Sequence, residues 1–184
     1  MAEVFVYVVY KQNSTCIDFR ALSACLGPPV PREGLRGYLI EAVPANACHP
    51  IGGPPAASNS SAAFIALISR YDCPLGVKIL HAQQAGYQAA IVHNVNSETL
   101  VTMVTNVEEI RQKIGIPSVF TGESASKKLR RVMGSEKGIH GRPVRDVCDL
   151  HGRVRRRRPA EDPPLFSRLS LRVYRHLASH PAQE

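Results

Sequence analysis

Residues 62–94 read AAFIALISRYDCPLGVKILHAQQAGYQAAIVHN, and this stretch changes period twice. AAFIALIS is a short run with almost no polar break, as expected of a strand covered on both faces. Pro74 to Ala85 opens with proline, which suits a first helical position, spaces Leu75, Ile79 and Ala82 by four and three, and closes at Gly86, where a left-handed cap is easy. Ala89, Ala90, Ile91 and Val92 then return to the buried-strand pattern. The stretch predicts β-α-β, and a crossover of that length favours parallel pairing.

Downstream the same alternation continues. Val107, Ile110 and Ile114 mark a short helix ending near Gly115, Pro117 to Phe120 a third strand, and Ala125, Leu129 and Val132 the stripe of a third helix. Upstream the periodicity weakens. VFVYVVY from Val4 and GYLIEA from Gly37 read as strands, separated by turn-rich stretches at Gly27–Gly34 and Pro44–Ser61. No internal repeat is visible. The fold class is α/β, with a β-rich first half and a βαβαβα second half.

The 184 residues are 44% apolar and 21% charged, enough for one ordinary core and a remainder. No run reaches the roughly 18 apolar residues that a membrane helix requires, so no span is expected in this chain. The net charge of +8 is unevenly placed. Residues 1–126 carry 8 basic and 9 acidic side chains, whereas 127–184 carry 15 and 6. The basicity therefore belongs to a tail in which Arg153, Arg155, Arg156, Arg157 and Arg158 crowd before Pro159, Pro163 and Pro164. That composition predicts a solvated, disordered basic tail over 134–184, with Leu165–Leu177 offering at most a marginal helix, and a folded domain over 1–133.

Five cysteines, Cys16, Cys25, Cys48, Cys73 and Cys148, include no C-x-x-C pair. The best pair is Cys48, in the Pro-flanked loop NACHPI, with Cys73, where a strand hands over to a helix. A bridge there would staple the irregular half to the regular half by closing about 25 residues, worth ~3 kcal/mol in the chain-entropy account. The alternative is two free thiols in a reducing compartment. Two glycosylation sequons, at Asn13 and Asn59, fall in predicted loops and agree with the oxidising, lumenal reading.

Tests for chemistry come back weak. Cys148 and His151 have local zinc-ligand spacing, but a structural zinc site needs four ligands and His140 is the only other nearby candidate. Gly122-Glu123-Ser124-Ala125-Ser126 nearly matches a nucleophile elbow, yet Ser126 stands where the second glycine belongs, so Gly122 and Ser124 read as the start of a helix. His93-Asn94 ends a strand at the carboxyl edge, where α/β ligands often bind, without an acid or nucleophile attached by motif. No Gly-rich phosphate loop follows any strand. The Arg run reads as nucleic-acid patch, cleavage signal or solvated segment, and only Phe166 and Tyr174 lie near it as stacking aromatics. The expectation is no catalytic, metal or cofactor residue.

Several blocks in order then resemble one family: CIDFRAL at 16–22, EGLRGYLIEAVPANACHPI at 33–51, FIALISRYDC at 64–73, KILHAQQAGYQAAIVHNVNS at 78–97 and IPSVFTGESASKKL at 116–129. They resemble the protease-associated (PA) domain of Goliath-type membrane RING ubiquitin ligases. The resemblance covers roughly 3–133. It implies a PA-type α/β sandwich in a lumenal or extracellular position, paired cysteines at Cys48 and Cys73, and a non-catalytic role recruiting protein substrates or partners. The family's membranes are endosomal, lysosomal or those of the endoplasmic reticulum.

In that family a signal peptide precedes the domain, and a membrane helix and RING follow it. Here the chain begins at the first strand and the resemblance stops near Gly138, as in a truncated isoform. Ubiquitin transfer needs the RING, so the chain is expected not to be an enzyme. The competing classes are a hydrolase-like α/β domain using Ser124 and a nucleic-acid binder using the basic tail.

Overall fold

The computed structural model describes residues 3–9, 16–31, 34–55, 63–105 and 107–135, together with strand segments at 146–148, 154–156 and 168–173. The elements are β1 (Glu3–Val9), β2 (Cys16–Ser23), β3 (Leu35–Glu41), β4 (Ala63–Ser69), α1 (Leu75–Gln84), β5 (Ala89–His93), α2 (Glu108–Lys113), β6 (Ser118–Thr121), α3 (Glu123–Ser135), β7 (Asp146–Cys148), β8 (Val154–Arg156) and β9 (Arg168–Val173). Seven strands close a barrel in the order β1-β2-β6-β5-β4-β3-β9, while β7 and β8 pair separately. Within the barrel β3, β4, β5 and β6 run parallel, and β1, β2 and β9 join antiparallel.

The parallel half follows from the buried runs. Every residue of β5 and β6, and all but the first of β4, is buried. Alternate residues face opposite sides. Phe64, Ala66 and Ile68 of β4, Ala90 and Val92 of β5 and Phe120 of β6 join one cluster with Ile79 and Ala82 of α1. Ile65, Leu67, Ala89, Ile91 and Val119 join the other, against Leu129 of α3. Helices on both faces supply the cover that parallel strands require.

Local signals explain the helix ends. Pro74 sits one position before α1, as its N-cap, rather than as its first residue. At the other end Tyr87 N–H donates to Ala82 O (3.1 Å) and Gly86 N–H to Gln83 O (3.0 Å). With Gly86 at φ +96° this is a Schellman closure, in which the left-handed position suits glycine. No helix among the described residues is long and apolar enough to cross a membrane.

Two strands depart from the sequence expectation. β2 has the alternation Ile17, Phe19, Ala21 against Asp18, Arg20, Leu22, and it joins β1 to β6. β9 falls where at most a marginal helix is expected. Leu169, Leu171 and Val173 alternate with Ser170 and Arg172, a two-residue period that suits a strand, and β9 pairs with both β1 and β3. With β9 in place the sheet closes on itself. Among the tail arginines, Arg155 and Arg156 fall in β8, with Arg156 opposite Asp146 of β7.

Candidate functional site

Four parallel strands bring their carboxyl ends to one edge, and the loops leaving that edge are the candidate site. Among the described residues, the non-glycine positions with positive φ are Ala47 (48°), Asp72 (67°) and Asn96 (54°). They lie one each in the loops after β3, β4 and β5. Asp and Asn tolerate the left-handed region comparatively well, whereas at alanine it costs about 1–2 kcal/mol. Ala47 is fully buried, and its carbonyl lies 2.9 Å from His81 Nδ1, so the α1 side chain secures the turn. The same three loops present exposed apolar side chains: Val43 (75% exposed), Tyr71 (44%) and Val95 (39%).

Cys48 and Cys73 join two of these loops through a disulfide with Cα atoms 5.6 Å apart. Beneath it lies Lys78 of α1, fully buried. Its Nζ donates to Asn46 O and Tyr71 O, both at 2.6 Å, and sits 3.4 Å from Cys48 Sγ. Burial lowers the Lys78 pKa, while the Asp72 carboxylate opposes that shift. Asp72 in turn accepts from Asn46 Nδ2 at 2.8 Å. The carbonyls satisfy a group that would be costly to bury alone.

A second polar cluster spans the strand ends and α3. His93 Nδ1 lies 2.8 Å from Asn94 O, so the hydrogen-bond network assigns the proton to Nδ1 and leaves Nε2 to accept. Ser69 Oγ donates to Nε2 at 3.0 Å, and Arg130 Nη2 at 3.1 Å. Arg130 Nε also donates to Glu41 Oε1 at 2.8 Å. Burial is the main cause holding the His93 pKa below its ordinary value; the Asn94 carbonyl opposes it, and the Arg130 charge adds to it. Ser69 and His93 are register partners on β4 and β5, which is why they meet.

This serine-histidine contact is not a nucleophile arrangement. Both residues are buried, at 4% and 2% exposure. The lone pair that would take the serine proton is shared with the Arg130 guanidinium, and the third partner of the imidazole is a carbonyl rather than a carboxylate. The group ties α3 to β4, β5 and the end of β3.

Ser124 has a different role from an elbow nucleophile. Glu98 Oε1 accepts from Ser124 N–H at 2.7 Å and from Ser124 Oγ at 2.6 Å, and these bonds lower the Glu98 pKa. Glu98, from the loop after β5, therefore caps α3 from outside the helix. Gly122 permits it, because a Cβ there would run into the Glu98 carboxylate.

The remaining sequence candidates fall elsewhere. Asn94 folds its own loop, with Oδ1 accepting from Val95 N–H at 3.1 Å and Nδ2 donating to Thr99 O at 2.9 Å. Asn13, Asn59, His140 and His151 lie outside the described residues. Among the described residues no three His, Cys, Asp or Glu side chains gather as a metal group. The sequence reading missed Lys78, Ser69 and Arg130. Lys78 stands three residues after Leu75 and four before Ala82, on the face of α1 that the apolar stripe buries, and that spacing was its available signal.

The chain is similar to known proteins in sequence and in fold. The chain is 50% identical over 150 residues to the E3 ubiquitin-protein ligase ZNRF4 of Homo sapiens, a match covering 82% of this chain and 35% of that protein. It is 52% identical over 133 residues to the E3 ubiquitin-protein ligase RNF13 of Gallus gallus, covering 72% of this chain and again 35% of the relative. The chain thus spans about a third of the length of these relatives. An aminopeptidase from Aneurinibacillus sp. strain AM-1 has a similar fold, with a TM-score of 0.50, 12% identity, and coverage of 92% of this chain and 30% of that one. At that identity the likeness is one of fold alone. The PA domain model matches residues 35–129, from the start of β3 into α3 and so across every loop described above, and the chain belongs to the PA domain family.

Proposed function

We propose that this PA domain is a non-catalytic recruiting module that grips a protein partner with the loops at the carboxyl edge of β3, β4 and β5. The observation that carries the reading is the convergence there of Val43, Tyr71 and Val95, exposed on loops that each contain a fixed left-handed residue. Apolar side chains on turns held by a rigid scaffold lose little freedom on binding. Elsewhere on the same edge the polar groups are already spent on one another, as Ser69, His93, Arg130 and Glu41 are, which supports recognition rather than turnover.

The similarity to E3 ubiquitin-protein ligases supports placing the module on the lumenal or extracellular side of a membrane-bound ligase of the endosomal, lysosomal or endoplasmic-reticulum system, where it would select what the ligase modifies. The Cys48–Cys73 bridge and the sequons at Asn13 and Asn59 suit such a compartment. The division into a domain over 1–133 and a tail over 134–184 belongs to the same reading, with β9 as the tail's addition to the sheet.

A photo-crosslinking residue at Val43 or Val95 tests the surface, with Gln112, exposed on α2, as the control position. Partner adducts are expected from Val43 and Val95 and not from Gln112. Adducts formed only at Gln112 would reject the carboxyl edge as the gripping surface.

A further inference from the structure

We propose that Cys48–Cys73 is a thiol–disulfide exchange site, in which Lys78 and the Cys73 backbone N–H hold Cys48 as the leaving thiolate when a dithiol reductant attacks Cys73. Two donors meet on one sulfur: Lys78 Nζ lies 3.4 Å from Cys48 Sγ, and Cys73 N–H lies 3.2 Å from it, both closer than the Tyr71 and Asn46 carbonyls, at 3.5 and 3.7 Å, whose lone pairs Lys78 engages. In the disulfide that sulfur is a weak acceptor. After reduction it becomes an anion facing an ammonium and an amide, and both contacts strengthen. The geometry therefore favours the reduced state over that of a disulfide with apolar neighbours, as a stabilised thiolate always does. The two cysteines are only partly buried, so a reductant has access.

Lys78 is suited to this role by its other contacts. Asn46 O and Tyr71 O fix Nζ at 2.6 Å each, and the Tyr71 ring centroid is 5.7 Å from it. Burial lowers the Lys78 pKa and the Asp72 carboxylate opposes that shift. The donor already stands beside the sulfur before reduction, and no rearrangement is needed to meet the new thiolate.

The exchange balances as follows. A thiolate of the dithiol attacks Cys73 Sγ, the bond between the two cysteines breaks, and its electron pair leaves on Cys48 Sγ. The second thiol of the reductant then attacks the mixed disulfide and releases Cys73. The reductant is oxidised to its own disulfide and the pair gains two electrons; one proton ends on Cys73 and the other passes to solvent. Reduction unfastens the loop of Cys48 from the loop of Tyr71. Those loops carry the apolar side chains assigned above to partner binding, but the exchange chemistry stands whether or not that assignment holds.

The test uses the full chain with Cys16→Ser, Cys25→Ser and Cys148→Ser, equilibrated with mixtures of reduced and oxidised dithiothreitol, alkylated and weighed. Lys78→Met is expected to lower the reduction equilibrium constant about tenfold, the equivalent of one pKa unit of lost thiolate stabilisation. A change of less than twofold would overturn the proposal. A second measurement leaves Lys78 in place. With Cys73→Ala the remaining Cys48 thiol should be alkylated by iodoacetamide with a pH midpoint below the ordinary ~8.5, and below that of Cys73 in the Cys48→Ala chain. The reverse order, or a Cys48 midpoint at or above the ordinary value, would also overturn it.

Discussion

Acidification should weaken this fold through one histidine. In the folded chain His93 is buried, donates from Nδ1 to Asn94 O and accepts at Nε2 from Ser69 and Arg130. A proton at Nε2 would aim an N–H at the Arg130 guanidinium, with Glu41 beyond it and Glu123 the further carboxylate that opposes the shift. The folded pKa is thus below the ordinary value of ~6.5 that the unfolded chain shows. Between the two values the unfolded state binds more protons, so stability is fully present above the ordinary value and is lost as pH falls through that window. The loss ends below the folded pKa. One proton sets the slope at no more than ~1.4 kcal/mol per pH unit, or a few °C in Tm for a chain of this size. Thermal melts from about pH 8 down to about pH 5 would compare the chain with His93→Gln, whose amide oxygen still accepts but does not titrate. The difference between the two isolates His93 from other titrating groups. The unaltered chain should lose stability more steeply below the ordinary imidazole range. Parallel curves, or a chain that gains stability relative to the variant on acidification, would refute the buried-acceptor account.

Other consequences can be measured independently. Leu129→Ala removes the fully buried α3 contact with Ile65, Leu67 and Ile91 and should cost about 2–5 kcal/mol in urea denaturation; a loss under 1 kcal/mol would mean that α3 does not seal that face. Glu98→Ala should fray the first turn of α3, seen as faster amide exchange at Ser124 and Ala125, and Gly122→Ala should do the same by displacing Glu98. The double variant should add little to either alone; additive effects would separate the two residues. Deleting 136–184 removes β9 from between β1 and β3 and should lower Tm, whereas an unchanged Tm would show that the strand adds nothing to the sheet.

The parts of the fold visible in the sequence are those whose signals are local. Pro74 and Gly86 bracket α1, and the runs at 64–68 and 89–92 are too apolar to be anything but covered strands. What escaped depends on partners far along the chain. β2 alternates clearly, but Asp18 and Arg20 break its apolar look, and its place between β1 and β6 is set by tertiary pairing. β9 is a short alternating segment inside a charged, proline-bearing region whose composition argues for solvation. The candidate edge was partly legible, since His93, Asn94, Tyr71 and Asp72 all fall at strand ends. Its two polar clusters were not. Ser69 and His93 meet only because β4 and β5 pair in one particular register, and a lysine in an apolar stripe is ordinarily read as reaching for solvent.

The odd-even division of the strands makes the sheet a partition between two interiors. Ile68, Val92 and Phe120 share one compartment, and Ile65, Ile91 and Val119 the other. A methyl group lost on one side leaves a hollow that side chains across the backbone cannot fill. Repair of a volume change must therefore come from the same side, so compensating pairs among natural variants should join residues of equal parity on any one of the strands β4 and β5. The two halves of the interior can then drift in sequence separately, α1 with its own set of partners and α3 with another, while the backbone between them stays the same.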